Sequence, residues 1–302
     1  MLDPKLKTLL KVSETGNFSR AAEELSLSQP AVSKHIHALE AELGIHIFEY
    51  ANKEMRLTQE GEIAVKYALR LQAIFHNMES ELQSARRQLR TLTVGITHTS
   101  ETNVMASVLA RYAVTHSRVT VKVVSGPADE LYVKLSNYEL DMAIVEGRVT
   151  LPRFRTLMLD TDCLMLVVPP GHPLAGRSSV TLDELKKEKL ILRPPNSQTR
   201  GFFVSTLESV GTHIDEFNVF LEIDNIATIK DLIRRKFGVS VLPRSTCMDE
   251  LKKGKIVLLP IENMPMVREI NLVYLEDFDH PEVLRDILAC YQEVHRLGMD
   301  ST

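Results

Sequence analysis

The 302-residue chain reads as a multidomain protein: an all-α N-terminal domain, a long linker helix, and two α/β lobes in succession. Three observations predict this. Two short, sharply delimited amphipathic helices fall within residues 17–48. Apolar residues recur at three- and four-residue intervals over 63–89. From residue 90 onward, segments of strand and helix character alternate to the C-terminus. Composition agrees, since 44% hydrophobic and 25% charged residues are ordinary for a globular chain with material for several cores. Residues 2–12 are charged and interrupted, unlike a secretory leader, and no apolar run approaches the roughly 20 residues that span a bilayer. A cytoplasmic location with no membrane partner is expected.

The first helix is predicted over about 4–15, with Leu6, Leu9, Leu10 and Val12 as its covering face and Gly16-Asn17 as its stop. The next segment, 19–25, packs through Ala21, Ala22 and Leu25, and the small alanines allow a close helix crossing. Ser28 is placed to N-cap a third helix, Pro30 sits in its first turn where a missing N–H costs nothing, and Gly44 can end it in a left-handed conformation, giving a helix over 29–43. Val32, Ile36, Leu39 and Leu43 form its inward stripe; Gln29, Pro30, Ser33, Lys34 and His37 fall on other faces near its start. An ordinary helical hairpin has the same spacing. In a helix-turn-helix, the polar N-terminal residues would reach base edges in the major groove. Two short strands, 45–48 and 55–57, then flank the turn Ala51-Asn52-Lys53 and make a wing with a basic tip suited to phosphates or the minor groove.

The segments FSRAAEEL (18–25), LSQPAVSKHIHALEAELG (27–44), IF (47–48) and RLTQEG (56–61) closely resemble the DNA-binding domain of the LysR-type transcriptional regulators. The resemblance implies a winged helix-turn-helix over 1–60, with Ser28, Gln29, Pro30, Ser33, Lys34, His37, Lys53 and Arg56 as the residues expected to meet double-stranded DNA. Family members usually carry arginine where Tyr50 stands, a departure expected to change the wing's contacts and leave the fold unaffected.

Residues 1–90 hold 12 Lys plus Arg against 12 Asp plus Glu, leaving 24 against 28 in the remainder. Attraction to DNA is therefore expected to be local, resting on Lys34, Lys53, Arg56 and Arg20.

Residues Ile63, Tyr67, Leu71, Ile74, Met78, Leu82, Ala85 and Leu89 are spaced 4, 4, 3, 4, 4, 3 and 4 apart, the rhythm of a coiled-coil stripe. One helix packed on its own domain would also fit, although about 30 residues is long for that. The resemblance implies a dimerising linker helix over 58–90, so that two recognition helices read an inverted-repeat operator from a homodimer or homotetramer.

After Arg90 the order is strand 92–96, helix 101–115, strand 120–124, helix 129–137 and strand 141–145, which predicts a parallel sheet with helices on both faces. A second run follows, with strands near 164–168, 190–192, 219–223, 239–242 and 256–259 and helices near 199–210, 226–236 and 245–252. A strand at 270–275 and a helix at about 281–296 close the chain. LDMAIVEG (140–147), VVPPGHPLAG (167–176) and GVSVLP (238–243) extend the resemblance to the family's effector-binding part, itself similar to periplasmic solute-binding proteins. It implies a split first lobe, 91–162 plus 268–302, and a second lobe, 163–267.

Ligands of open α/β sheets bind beyond the carboxyl ends of strands. The loop Thr97-His98-Thr99-Ser100 follows the first strand and precedes a helix, so its hydroxyls and free N–H groups suit an anion; Thr99 or Ser100 serving only as a helix cap fits the same position equally well. Opposite it by the resemblance lies Asn196-Ser197-Gln198-Thr199-Arg200, preceded by Arg193. The guanidiniums of Arg193 and Arg200 suit a carboxylate or phosphate, or else pair with Glu222 or Asp224. Ser125-Gly126, Glu146 and Asn225 end other strands. The expected effector set is Thr97, His98, Thr99, Ser100, Ser125, Arg193, Thr199, Arg200 and Asn225, and the expected effector is a small anion.

No glycine-rich phosphate loop, HExxH, GxSxG or metal-type His/Cys spacing occurs, so no enzyme activity, cofactor or metal is expected. Cys163, Cys247 and Cys290 are odd in number with no close pair, which favours free, buried or half-buried thiols. The functional expectation is a LysR-type regulator whose operator binding and contact with RNA polymerase respond to the effector. A solute-binding protein with no transcriptional role is the alternative, and it leaves the first 90 residues without a purpose.

Overall fold

The structure, a computed structural model, describes residues 3–51, 54–87, 90–101 and 104–299. Its backbone divides into two compact units. One runs up to Thr91 and includes Ser136–Glu139; the other comprises Leu92–Leu135 and the chain from Leu140 onward.

The first unit opens with α1 (Pro4–Thr15), α2 (Phe18–Leu25) and α3 (Gln29–Leu43), each bounded by its own side-chain chemistry. Asn17 accepts the amide hydrogens of Ser19 and Arg20 at the start of α2, and Ser28 accepts that of Ala31 at the start of α3. Gly44 stops α3 at φ 67°, a region where a side chain would be strained. Leu9, Val12, Ala21, Val32 and Ile36 meet in one core closed by Ile47. Leu43, expected in the inward stripe, is 52% exposed: it occupies the last turn of α3, and the place it would fill is taken by Ile47 after the Gly44 reversal.

The wing is an antiparallel pair, β1 (Phe48–Ala51) and β2 (Glu54–Leu57), with Phe48 opposite Leu57. The first strand starts later than the expected 45–48. The Ile47 N–H donates to Glu40 Oε1 at 2.8 Å, so this part of the chain is tied back to α3 and is not free to pair with β2. Residues 52–53 at the tip lie outside the described residues.

The 29-residue α4 (Gln59–Arg87) follows, with Thr58 accepting the Gly61 amide hydrogen at its start. One face, Ala64, Val65 and Ala68, packs on the first core. The apolar stripe lies elsewhere: Ile63, Tyr67, Leu71, Ile74, Met78 and Leu82 are each 45–59% exposed. Leu89 at its expected end lies outside the described residues.

The rest of the chain comprises β3 (Arg90–Ile96), α5 (His98–Glu101), α6 (Met105–Thr115), β4 (Val119–Ser125), α7 (Ala128–Ser136), β5 (Met142–Glu146) and β6 (Phe154–Val168). Then come α8 (Leu182–Leu185), β7 (Lys189–Leu192), α9 (Gln198–Ser209), β8 (Asn218–Glu222), α10 (Ile226–Arg234), β9 (Ser240–Pro243), α11 (Met248–Lys252), β10 (Val257–Leu259), β11 (Val267–Leu275) and α12 (Pro281–Met299). The main sheet has the order β10-β6-β11-β5-β3-β4, with β9 also paired to β6, and β7 pairs with β8 apart from it.

This sheet is mixed, not parallel as the strand–helix alternation predicts. The pairs β3–β5 and β7–β8 are parallel, but β11 returns antiparallel to both β5 and β6. The difference comes from β6, whose 15 residues begin ten positions before the expected strand at 164–168. Its first part, FRTLMLDTDC, is half exposed and mixed in polarity, so it lacks the apolar run that marks a buried strand. That first part pairs with β11, and the second part pairs with β9 and β10. One long strand therefore runs through two hydrophobic cores. Leu92, Val94, Met105, Ile144, Leu272 and Ile287 lie in one; Leu166, Leu190, Phe203, Val241 and Leu259 lie in the other. The expected helix 101–115 is also divided, into α5 and α6, with 102–103 outside the described residues.

Candidate functional site

Two surfaces carry the residues singled out in the sequence. On the first unit, the N-terminal half of α3 presents Ser28, Gln29, Pro30, Lys34 and His37 to solvent, with Ser33 half buried. The first turn holds no acidic residue, so the positive end of the helix dipole and Lys34 act in the same sense. His37 Nδ1 lies 3.1 Å from Glu40 Oε2, a contact the spacing alone did not announce. Arg56 is exposed on β2, where it faces Glu49 across the wing. Tyr50, the departure from the usual arginine, is 74% exposed on β1. Lys53 lies outside the described residues.

On the second unit, a cavity opens beyond the carboxyl ends of β3, β5, β7 and β8. It is lined by Thr97, His98, Thr99, Gly126–Asp129 and Glu146 on one side and by Arg193, Asn196–Gln198 and Asp224 on the other. Its volume, open mouth included, is about 560 Å³. Thr97 and Ser100 are buried and turned toward Glu146, not toward open space. The Thr97 hydroxyl lies 2.9 and 2.8 Å from the two Glu146 oxygens, and Ser100 Oγ donates to Oε1 at 2.8 Å. The Ser100 amide in turn donates to Thr97 Oγ1 at 3.2 Å. Thr99 Oγ1 stands 3.5 Å from Thr199 Oγ1, joining the two sides.

Arg193 is only 4% exposed. One terminal nitrogen donates to Asp224, while its Nε and Nη1 are buried with no hydrogen-bond partner. Leaving such donors unsatisfied is costly, and an anion in the cavity would relieve it. Arg200 does not line the cavity; it donates to Glu222 Oε1 at 2.9 Å and to the Arg193 carbonyl at 3.0 Å, thereby holding the Arg193 backbone. Ser125 is exposed at the end of β4, and Asn225 caps α10 by accepting the Thr228 amide hydrogen. Neither lines the cavity, and neither does Thr199. Asp129 and Asp224 are lining residues that sequence reasoning did not select. The acidic first turn of α7 was the available signal for Asp129.

The three cysteines are free, with Cys247 and Cys290 buried and Cys163 half buried. Burial pushes all three thiols above their usual range, Cys247 to about 11, so the reactive thiolate is disfavoured at each. Among the described residues no group of His, Cys, Asp or Glu side chains is arranged to hold a metal ion, and no helix is long and apolar enough to cross a membrane.

An exposed helix-turn-helix followed by a two-core α/β unit with a polar cavity is the plan of a one-chain DNA-binding regulator with a substrate-binding domain. Residues 4–62 match the family model described as a bacterial regulatory helix-turn-helix protein of the lysR family, and residues 85–296 match the LysR substrate binding domain. The chain belongs to the LysR family: it is a LysR-type DNA-binding transcriptional regulator with a substrate-binding domain.

Curated relatives agree in kind. A probable RuBisCO transcriptional regulator of Phaeodactylum tricornutum is 28% identical over 273 residues, covering 89% of each chain. The regulator CysL of Bacillus subtilis is 25% identical over 270 residues, with the same coverage. Among solved structures, full-length CbnR in complex with its target DNA superposes with a TM-score of 0.69 at 19% identity, covering 96% of this chain and 98% of that one. A full-length OxyR variant from Pseudomonas aeruginosa gives 0.65 at 22%, covering 95% and 93%.

Proposed function

We propose that this regulator binds an inverted-repeat operator as a homodimer or homotetramer, and that a small effector in the cavity beside Arg193 controls its contact with RNA polymerase in the cytoplasm. The observation that carries the effector reading is Arg193, nine-tenths buried on the cavity wall with two donors unused. An anionic group is what such a guanidinium lacks. The division of labour follows the segments 1–60 for DNA reading, 58–90 for dimerisation, and the lobes 91–162 plus 268–302 and 163–267 for the effector. Effector binding favours one closure of the lobes over another, and it acts only through its different affinity for the two.

The effector residues are Thr97, His98, Thr99 and Arg193, with Thr199, reached through Thr99, and Ser100 and Arg200 as supports; Ser125 and Asn225 have the weaker claim, since they stand off the cavity. Thr99→Val is expected to abolish the effector's influence on transcription while operator affinity stays unchanged. Thr97→Val is the poorer probe. It strips a donor from buried Glu146 and the acceptor from the Ser100 amide, at a cost of about 1–3 kcal/mol in stability. The check is operator binding and reporter output with a ligand found by thermal shift, where a compound at 100 times its Kd stabilises by about 2.7 kcal/mol. A Thr99→Val protein that still responds rejects the site.

The DNA-reading residues are Ser28, Gln29, Pro30, Ser33, Lys34 and His37, with Lys53 and Arg56 on the wing. Ser33→Ala or Lys34→Ala is expected to weaken specific binding by about 1–3 kcal/mol where the side chain reads a base. Titration of operator against random duplex measures this; an unchanged ratio removes the side chain from base reading.

A further inference from the structure

Resting on the reading of the cavity as the effector site, we propose that the effector is amphoteric: a small molecule with one anionic group and one protonated amine. The cavity wall carries three carboxylates, Glu146, Asp129 and Asp224, against the single guanidinium of Arg193. Asp224 is committed to Arg193. Glu146 and Asp129 are not: among the described residues neither enters an ion pair, and Glu146 accepts from the hydroxyls of Thr97 and Ser100. A purely anionic ligand would be held at Arg193 and repelled by the other two carboxylates.

The two charges are sorted by side. Arg193 and the start of α9, Asn196–Gln198, line the same part of the wall; Ser197 makes no side-chain cap there, and two guanidinium nitrogens of Arg193 have no partner. Glu146 ends β5 and Asp129 opens α7 on the opposite side. A carboxylate offers about four lone-pair sites, and two hydroxyl donors, Thr97 shared between both oxygens and Ser100 on Oε1, leave Glu146 room for a further donor. The fields of both acids meet at Tyr132, whose phenol is pushed up to about 12 by burial, then by Asp129 and Glu146. A metal ion is a poor occupant for this acidic side, because among the described residues no ligand group is arranged for one. An ammonium group needs only charge and acceptors, and these are present.

The sorting has a mechanical consequence. A ligand with both charges engages both sides at once, whereas a simple carboxylate or a simple amine engages one. Only the amphoteric ligand has the differential affinity that closes the cavity.

The test uses the full-length protein and calorimetric titration of L-α-amino acids and ω-amino carboxylates of two to six carbons. Each is compared with its carboxylate lacking the amine, with its amine lacking the carboxylate, and with phosphate and sulfate. At least one amphoteric compound is expected to bind about tenfold or more tightly than both of its truncated analogues. Asp129→Asn and Glu146→Gln are expected to remove that advantage while leaving the affinity for the matched carboxylate unchanged or raised, since each removes a repelling charge. If Glu146→Gln fails to fold, the exposed Asp129→Asn decides alone. Binding of simple anions with no gain from an amine overturns the amphoteric effector and leaves the cavity as the effector site. Absence of binding by either set, together with an Arg193→Gln protein whose regulation in cells is unchanged, overturns both.

Discussion

Gly61→Ala is expected to unfold the N-terminal unit and abolish operator binding. Gly61 sits in the first turn of α4 against the wing, and a Cβ built there falls 2.1 Å from the Ile47 carbonyl oxygen and 2.9 Å from its carbon. The obstacle is backbone, and it is pinned: the same carbonyl accepts the Thr58 amide hydrogen at 3.0 Å, while the Ile47 N–H is held by Glu40. No side-chain rotation relieves the clash, so the cost lies at or above the upper end of the overpacking range, about 3 kcal/mol or more. That is a large share of the margin of a small domain. Gly201 supplies the control. It too lies in a helix, α9, but nothing stands within 4 Å of its added Cβ, so Gly201→Ala is expected to stabilise by up to about 1 kcal/mol. Hydrogen exchange on the full chain reads both outcomes: amides of α1 to α3 lose protection in Gly61→Ala and keep it in Gly201→Ala. Retained protection and operator binding in Gly61→Ala would mean that α4 and the wing are not packed as described.

The second large effect concerns the exposed stripe of α4. Six large side chains that repeat at coiled-coil intervals and remain about half exposed in the single chain are an unusual surface for a monomer, and a second copy of the same helix is the occupant that matches the repeat. Leu71→Glu combined with Ile74→Glu is expected to yield a monomer that keeps its fold, because neither side chain is part of the core around Val32 and Ile36. Operator affinity then falls by about 10²–10⁴-fold, the contribution of linking two half-site contacts. Sedimentation equilibrium together with footprinting reads the result. A double variant that stays dimeric would place the interface elsewhere.

Much of the first unit was legible because its signals are local. Asn17, Ser28, Pro30 and Gly44 act within one helical turn, and α3 begins and ends where they place it. The wing was legible only in outline. Glu40 reaches seven residues along the chain to fix Ile47, and no spacing rule anticipates that contact. The effector loop shows the same division. Its position after the first strand follows from topology, but the turning of Thr97 and Ser100 onto Glu146 depends on a residue 46–49 positions away.

The family, the helix-turn-helix and the α4 stripe were determined by the sequence itself, since caps, periodicities and motifs are written in neighbouring residues. The tertiary structure decided three things. It made the sheet mixed by returning β11 between β5 and β6, it left Leu43 outside the core, and it gave Arg200 and Asn225 structural partners while leaving two nitrogens of Arg193 with none. Each is settled by which distant groups compete for one place or one hydrogen bond, and that competition exists only once the chain is folded.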